Sequence, residues 1–141
     1  MPSSISDPRE ARVAERASKR ILVVDDANLV RRFYRDALQR AGFDVGEALN
    51  GVEALEKLLG ESFDLVIVDI NMPQMDGFTF LKTLRRQAAP ISSIPALVIS
   101  TEAGPQDMAA ARAAGANFYL VKPVRQDTLV EHVTIMCGLP A

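Results

Sequence analysis

Apolar and polar positions along this chain switch repeatedly between two periods. After a polar stretch rich in Arg, Glu and Ala over residues 1–19, the pattern opens with Ile21-Leu22-Val23-Val24, an apolar run that ends in two acids. A short continuous apolar run of this kind reads as a strand buried on both faces. Residues 28–41 then carry Leu29, Phe33, Ala37 and Leu38 at helical spacing, with Gly42 as the C-terminal stop. The same alternation predicts strand 43–48, helix 51–59, strand 64–69, helix 76–87, strand 96–100, helix 105–114, strand 117–121 and helix 125–137. Within residues 1–19, Asp7-Pro8 followed by Glu10 has the chemistry of a helix start, since Asp caps free N–H groups and Pro suits the first helical position. A short helix and a disordered tail are both compatible with that segment.

Five strand–helix units in succession define an α/β fold. Strands separated by helices cannot pair as tight hairpins, so the sheet is expected to be parallel, doubly wound, with right-handed crossovers and helices on both faces. Leu65-Val66-Ile67-Val68 and Ala96-Leu97-Val98-Ile99 are apolar throughout, which suits central strands. Gly115-Ala116-Asn117 has the turn chemistry to end the fourth of these helices and start the last strand. The 141 residues fit a single domain, with 20–138 as its body, 1–19 as an N-terminal extension and 139–141 as a tail.

Composition narrows the function by exclusion. The chain is 48% hydrophobic and 24% charged, enough for a real core, and its net charge is −2 with Lys and Arg spread along the sequence. The basic stripe of a nucleic-acid binder is missing, so no nucleic-acid partner is expected. Cys137, the single cysteine, rules out an internal disulfide and any multi-cysteine metal site. The first residues carry no apolar core of a secretion signal, and no run approaches the roughly 18 apolar residues of a membrane span. A cytoplasmic protein without membrane insertion is the expectation.

Ligands of open parallel α/β sheets bind beyond the carboxyl ends of the strands, where strand order reverses. The strand ends here are unusually rich in chemistry. The first ends in Asp25-Asp26, the third in Asp69, the fourth in Ser100-Thr101, and the fifth is followed by Lys122-Pro123. Three neighbouring carboxylates repel one another, which calls for raised pKa values or a bound cation. Oxygen-only ligands favour a hard ion such as Mg²⁺. A lysine and a hydroxyl beside the cluster suit the oxygens of an incoming phosphoryl group, and a carboxylate is itself a competent nucleophile.

The segments that carry this chemistry also resemble a known family. Leu22-Val23-Val24-Asp25-Asp26, Asp69-Ile70-Asn71-Met72-Pro73-Gln74-Met75-Asp76-Gly77, Ser100-Thr101-Glu102 and Tyr119-Leu120-Val121-Lys122-Pro123 are similar to the signature of bacterial response-regulator receiver domains, most closely the CheY-like single-domain type, over residues 20–137. The resemblance implies a flavodoxin-like (βα)₅ sheet of order 2-1-3-4-5. It also implies that Asp69 is the phosphoacceptor and that Mg²⁺ is held by Asp26 and Asp69, by Asp25 partly through water, and by the backbone carbonyl of Asn71. Lys122 would bind a phosphoryl oxygen, and Ser100 would hydrogen-bond the phosphoryl group after transfer. Tyr119 would then rotate inward from a solvent-facing pose. Asn71 and Glu102 stand where water access for dephosphorylation is tuned, and as both are polar, fast decay is expected.

By the same resemblance the phosphodonor is a histidine kinase or a histidine phosphotransfer protein, with small phosphodonors as substitutes. The protein acts as a phosphoacceptor switch with autophosphorylation and autodephosphorylation activity, not as an enzyme on other substrates. Its signal passes by protein contact through the face made by the fourth helix, fifth strand and fifth helix of the repeat, including Met108, Tyr119, Val124 and Asp127. Chemotaxis is the expected setting, and a phosphorelay intermediate or a stand-alone receiver outside chemotaxis is the alternative. Gly104-Pro105 stands where the best-known motor-binding member has a pair of lysines, so flagellar-motor binding does not follow.

Blander roles compete at several positions. Asp25 and Asp26 could merely cap the following helix, Lys122-Pro123 could be an ordinary turn, with a cis peptide in the family, and Tyr119 could be a half-buried packing residue. Met72-Pro73 and Asp76-Gly77 suit loop geometry and helix capping. His132 is expected to face solvent beside Glu131, and Cys137 to be a small buried or half-exposed side chain. A haloacid-dehalogenase-type phosphatase would want a second Asp at position 71, and an FMN carrier would need a phosphate-cradling loop where Asp25-Asp26-Ala27-Asn28 would repel phosphate.

Overall fold

A computed structural model describes residues 7–140. The N-terminal segment forms helix α1 (Pro8–Ala17), with Asp7 as its cap accepting from the Arg9 N–H at 2.9 Å, so the helical alternative holds from residue 8 onward and residues 1–6 lie outside the described residues. There follow β1 (Arg20–Val24), α2 (Asn28–Arg40), β2 (Asp44–Ala48), α3 (Gly51–Gly60), β3 (Leu65–Val68), α4 (Gly77–Arg85), β4 (Ala96–Ser100), α5 (Pro105–Ala114), β5 (Phe118–Val121) and α6 (Gln126–Met136). Every strand pairing is parallel and the sheet order is β2-β1-β3-β4-β5, the expected flavodoxin-like arrangement. The predicted helix 76–87 is shorter in the structure, because beyond Arg85 the N–H groups of Arg86 and Gln87 bond three residues back. A 3₁₀ turn at Ile91–Ser93 was not predicted.

Alternation along the strands divides the core into two layers. Leu22, Val24, Val66, Val68 and Val98 face one side, where they pack with Ala54, Leu58, Phe80, Leu81, Leu84 and Ala111 of α3, α4 and α5. Ile21, Val23, Leu65, Ile67, Leu97 and Ile99 face the other, with Tyr34 and Leu38 of α2 and Leu129 and Val133 of α6. Each such aliphatic side chain withdrawn from water contributes about 1.5–3 kcal/mol. The central strands β1, β3 and β4 are therefore held rigidly from both faces, and what projects from their carboxyl ends is fixed in space.

Glycine ends two helices as expected, with positive φ at Gly42 and Gly115. Close to Gly42, α1 rests on the molecule: Arg16 donates to the Ala41 carbonyl at 3.3 Å and lies over the Phe43 ring at 5.8 Å. Across the fold, Arg85 clamps α4 to the start of β5 by donating to the carbonyls of Ser92, Ile94 and Gly115 and to the Asn117 side chain.

Candidate functional site

At the carboxyl end of the sheet, β1 and β3 are neighbours, so Asp25-Asp26 and Asp69 arrive side by side. Carboxylate oxygens of Asp25, Asp26 and Asp69 all lie within 4.8 Å of one another. Asp25 and Asp69 are buried, whereas Asp26 is exposed at the mouth. Lys122 enters from the loop after β5, its Nζ donating to Asp25 Oδ2 at 3.3 Å and standing 3.8 Å from Asp69 Oδ1. Asp25 is also fixed at its other oxygen, which accepts from the Ala27 N–H at 2.9 Å. The helix-cap role for the acid pair is thus absent as such: the cap of α2 is Ala27, which has no side-chain hydrogen bond.

Burial pushes the Asp69 carboxyl up to about 6, reinforced by the negative charge of Asp25 and opposed by Lys122 and a backbone hydrogen bond from Asn71. Three acids and a lysine at this spacing leave the cluster short of positive charge. Its donor set is oxygen only, and one face is open at Asp26, so the residues present fit a hard divalent cation such as Mg²⁺.

A pH dependence of stability follows in the metal-free protein. The Asp69 carboxyl titrates near its ordinary value in the unfolded chain and higher in the folded one, so between those values the folded state holds the extra proton. Stability therefore falls as pH rises from about 4 to about 6, and the penalty, at most about 3 kcal/mol, stays fully present above that window. Urea unfolding in chelator across this range is expected to show the fall in the wild type and a weaker slope in Asp69→Asn. Identical slopes would show that Asp69 is not the group under strain.

Around the cluster, the loop after β3 is shaped by close approach. Gly77 lies so near the Asp69 carbonyl that an added Cβ would sit 2.5 Å from that oxygen, and its N–H donates to the Ile70 carbonyl at 2.8 Å. Asp76 caps α4 by accepting from the Thr79 N–H at 2.8 Å, as expected of it. Gln74, with φ of 67°, turns the loop, and its side chain accepts from Asn50 across to α3 at 3.3 Å. Asn71 is exposed in this loop.

On the other flank Ser100 is fully buried at the end of β4, its Oγ accepting from the Glu102 N–H at 3.1 Å. Tyr119 takes the half-buried pose of the blander alternative here, where the family resemblance implied a solvent-facing one. Its ring is half-buried against the core, and its hydroxyl donates to the Glu102 carbonyl at 2.7 Å, a bond that holds the ring over the loop after β4. Met108 and Tyr119 line one cleft between α5 and β5, of about 250 Å³, whereas Val124 lies across the site with Lys122, packed against the other core layer. The Lys122–Pro123 peptide is cis.

His132 also departs from expectation. It is half-buried, with Nδ1 2.8 Å from the Thr128 carbonyl and its ring 4.9 Å from that of Phe118, because the bare edge of β5 leaves Phe118 free to cover it. Cys137 is half-buried as expected.

Three residues near the acids escaped the sequence reading. Gly77 passed for ordinary cap geometry. Tyr34 is buried beneath the site, its phenol pushed up by burial and by the charges of Asp25 and Asp69. Arg31 is buried and donates to the Asp25 carbonyl at 2.8 Å. A signal existed for Arg31: at three and seven residues before Tyr34 and Leu38 it falls on the inward stripe of α2.

A strand-end cluster of this kind, in this sheet order, belongs to phosphoacceptor switches, and comparison with known proteins names the family. The response regulator receiver domain family matches residues 21–134, and the chain belongs to it. The chemotaxis protein CheY1 of Helicobacter pylori is 39% identical over 121 residues, covering 84% of this chain and 97% of that protein. CheY of Bacillus subtilis is 40% identical over 116 residues, covering 81% and 93%. Among solved structures, the chemotaxis protein CheY4 of Vibrio cholerae superposes with a TM-score of 0.79 at 37% identity, covering 84% of this chain and 98% of that one.

Proposed function

We propose that this receiver works as a single-domain response regulator in chemotaxis, taking a phosphoryl group from a histidine kinase or histidine phosphotransfer protein onto Asp69. One observation carries the reading: Lys122 lies between Asp25 and Asp69, at 3.3 and 3.8 Å, in a cluster of three carboxylates at one strand edge. The relatives named above support the chemotaxis setting. In this reading residues 20–138 are the receiver unit, 1–19 an extension and 139–141 a tail, and the protein resides in the cytoplasm.

In the transfer, an Asp69 carboxylate oxygen attacks the phosphorus of a phosphohistidine, the new P–O bond forms as the P–N bond breaks, and the imidazole leaves with the electron pair. Asp25, Asp26 and Asp69, with the Asn71 carbonyl, would hold Mg²⁺, which supplies neutralising charge for the acceptor and the arriving oxygens. The Lys122 ammonium exchanges its carboxylate partners for a phosphoryl oxygen. The Ser100 hydroxyl donates to another oxygen, which draws on the loop whose carbonyl at Glu102 holds Tyr119. Loosening that bond alters the surface of α5, β5 and α6, where Met108, Tyr119, Val124 and Asp127 meet a downstream protein. Asn71 and Glu102, exposed on either side, set the access of water for hydrolysis of the acyl phosphate. The protein is a switch that phosphorylates from small donors and dephosphorylates itself, and does not turn over other substrates.

A pull-down with and without beryllofluoride and Mg²⁺ tests the output. The downstream protein is expected to bind the activated form at least about ten-fold more tightly, a coupling within the usual allosteric range, and a flagellar-switch peptide is the probe that decides whether that protein is the motor. Equal retention of that peptide in both states would remove the motor, leaving a phosphorelay intermediate or a stand-alone receiver outside chemotaxis.

A further inference from the structure

Arg31 is a charged side chain only 7% exposed, and the phosphoryl-transfer chemistry makes no use of it. Taking a guanidinium out of water costs several kcal/mol unless its donors are satisfied, and here three nitrogens are engaged on three different segments. Nη1 donates to the main-chain carbonyl of Asp25 at 2.8 Å, Nη2 to Asn28 Oδ1 at 2.9 Å, and Nε to Glu47 Oε1 on β2 at 3.3 Å. The second oxygen of Glu47 accepts from Arg35 at 3.1 Å, which fixes the carboxylate that Arg31 leans on. Asp25 itself is held at its N–H, which donates to the Ala48 carbonyl at 3.2 Å, and at its carboxylate, but Arg31 provides the hold on its carbonyl from α2.

Simple electrostatics makes this placement paradoxical. A buried positive charge against the main chain of one of the acids works against a divalent cation, so a residue kept there for charge alone would weaken the site it borders. The planar fork of arginine, by contrast, can brace one carbonyl and two side chains at fixed angles, which an ammonium cannot do. We propose that Arg31 is a positioning residue that sets the Asp25 backbone, and thereby the acid cluster, in cation-binding geometry. This rests on the reading that Asp25, Asp26 and Asp69 hold a divalent ion.

The two roles predict opposite signs. Mn²⁺ binding to the full chain, followed by the loss of the free-ion electron paramagnetic resonance signal, reads affinity without any phosphoryl transfer. Partners behind metal ligands typically contribute ten-fold or more to affinity, so Arg31→Met is expected to bind Mn²⁺ about ten-fold more weakly, and Arg31→Lys, which keeps the charge but loses the fork, at least about three-fold more weakly. A role through charge alone gives tighter binding in Arg31→Met and no change in Arg31→Lys, and either of those results overturns the proposal. Arg32→Ala, which removes the neighbouring arginine of α2 that faces solvent, is expected to stay within about two-fold of wild type, as a screened, exposed charge should. Circular dichroism confirms folding, and if Arg31→Met does not fold, Arg31→Lys alone decides. Absence of saturable Mn²⁺ binding in the wild type, or its survival unchanged in Asp26→Asn, would instead fail the metal reading itself.

Discussion

Asp69→Asn is expected to take up no phosphoryl group from acetyl phosphate or from a phosphorylated histidine kinase, a loss of at least about a thousand-fold in rate. The substitution is nearly isosteric and leaves Gly77, Ile70 and the loop after β3 in place, so the fold should survive. What disappears is the nucleophile: an amide oxygen is far less nucleophilic than a carboxylate, and the acyl phosphate cannot form on it. No neighbour can substitute, because Asp25 commits one oxygen to the Ala27 N–H and the other to Lys122, and Asp26 sits exposed at the mouth. The same variant relieves the strain of a buried carboxylate, so it should be more stable than wild type at neutral pH without metal. Gain of stability together with loss of labelling would be the signature of a residue kept for chemistry at a cost to the fold. Labelling at the wild-type rate, read by incorporation of radiolabelled phosphate, would exclude Asp69 as acceptor.

Lys122→Ala carries the second largest effect. In the resting state its ammonium offsets repulsion between Asp25 and Asp69, and during transfer it meets charge on the phosphoryl oxygens. Removing one preorganised donor of this kind costs about 10²–10³ in rate. Two consequences run in opposite directions. Phosphoryl transfer should slow by that factor, while Mn²⁺ or Mg²⁺ should bind more tightly, since the ammonium that pairs with the Asp25 and Asp69 carboxylates is gone and the metal meets less competing positive charge. Stopped-flow labelling and a metal titration on the same preparation separate the two. Slower transfer with weaker metal binding would mean that Lys122 shapes the site and does not act on the phosphoryl group.

Sequence made the strand ends legible because a parallel sheet leaves little freedom there. Once Ile21–Val24 and Leu65–Val68 are read as adjacent buried strands, Asp25, Asp26 and Asp69 must emerge at one edge, and Lys122 follows from the end of the fifth strand. Residues whose role depends on the rotation of a helix or the proximity of two backbones were harder. Arg31 reads as one of several arginines on α2, and only its place on the inward stripe with Tyr34 and Leu38 distinguishes it from Arg32, which faces solvent. Gly77 reads as the residue after a cap, and only the three-dimensional approach of Asp69 shows why a side chain does not fit. His132 was placed in water on local pattern and Tyr119 by the family resemblance, yet each finds a partner that sequence spacing does not reveal, the Phe118 ring and the Glu102 carbonyl.

The most direct test is to expose the wild-type chain to acetyl phosphate with Mg²⁺ and, separately, with a chelator, then trap any acyl phosphate by borohydride and locate the reduced residue by peptide mass mapping. The account predicts homoserine at position 69 with Mg²⁺ and none without it. Reduction at another residue, or equal labelling of Asp69 in the presence of chelator, would contradict it.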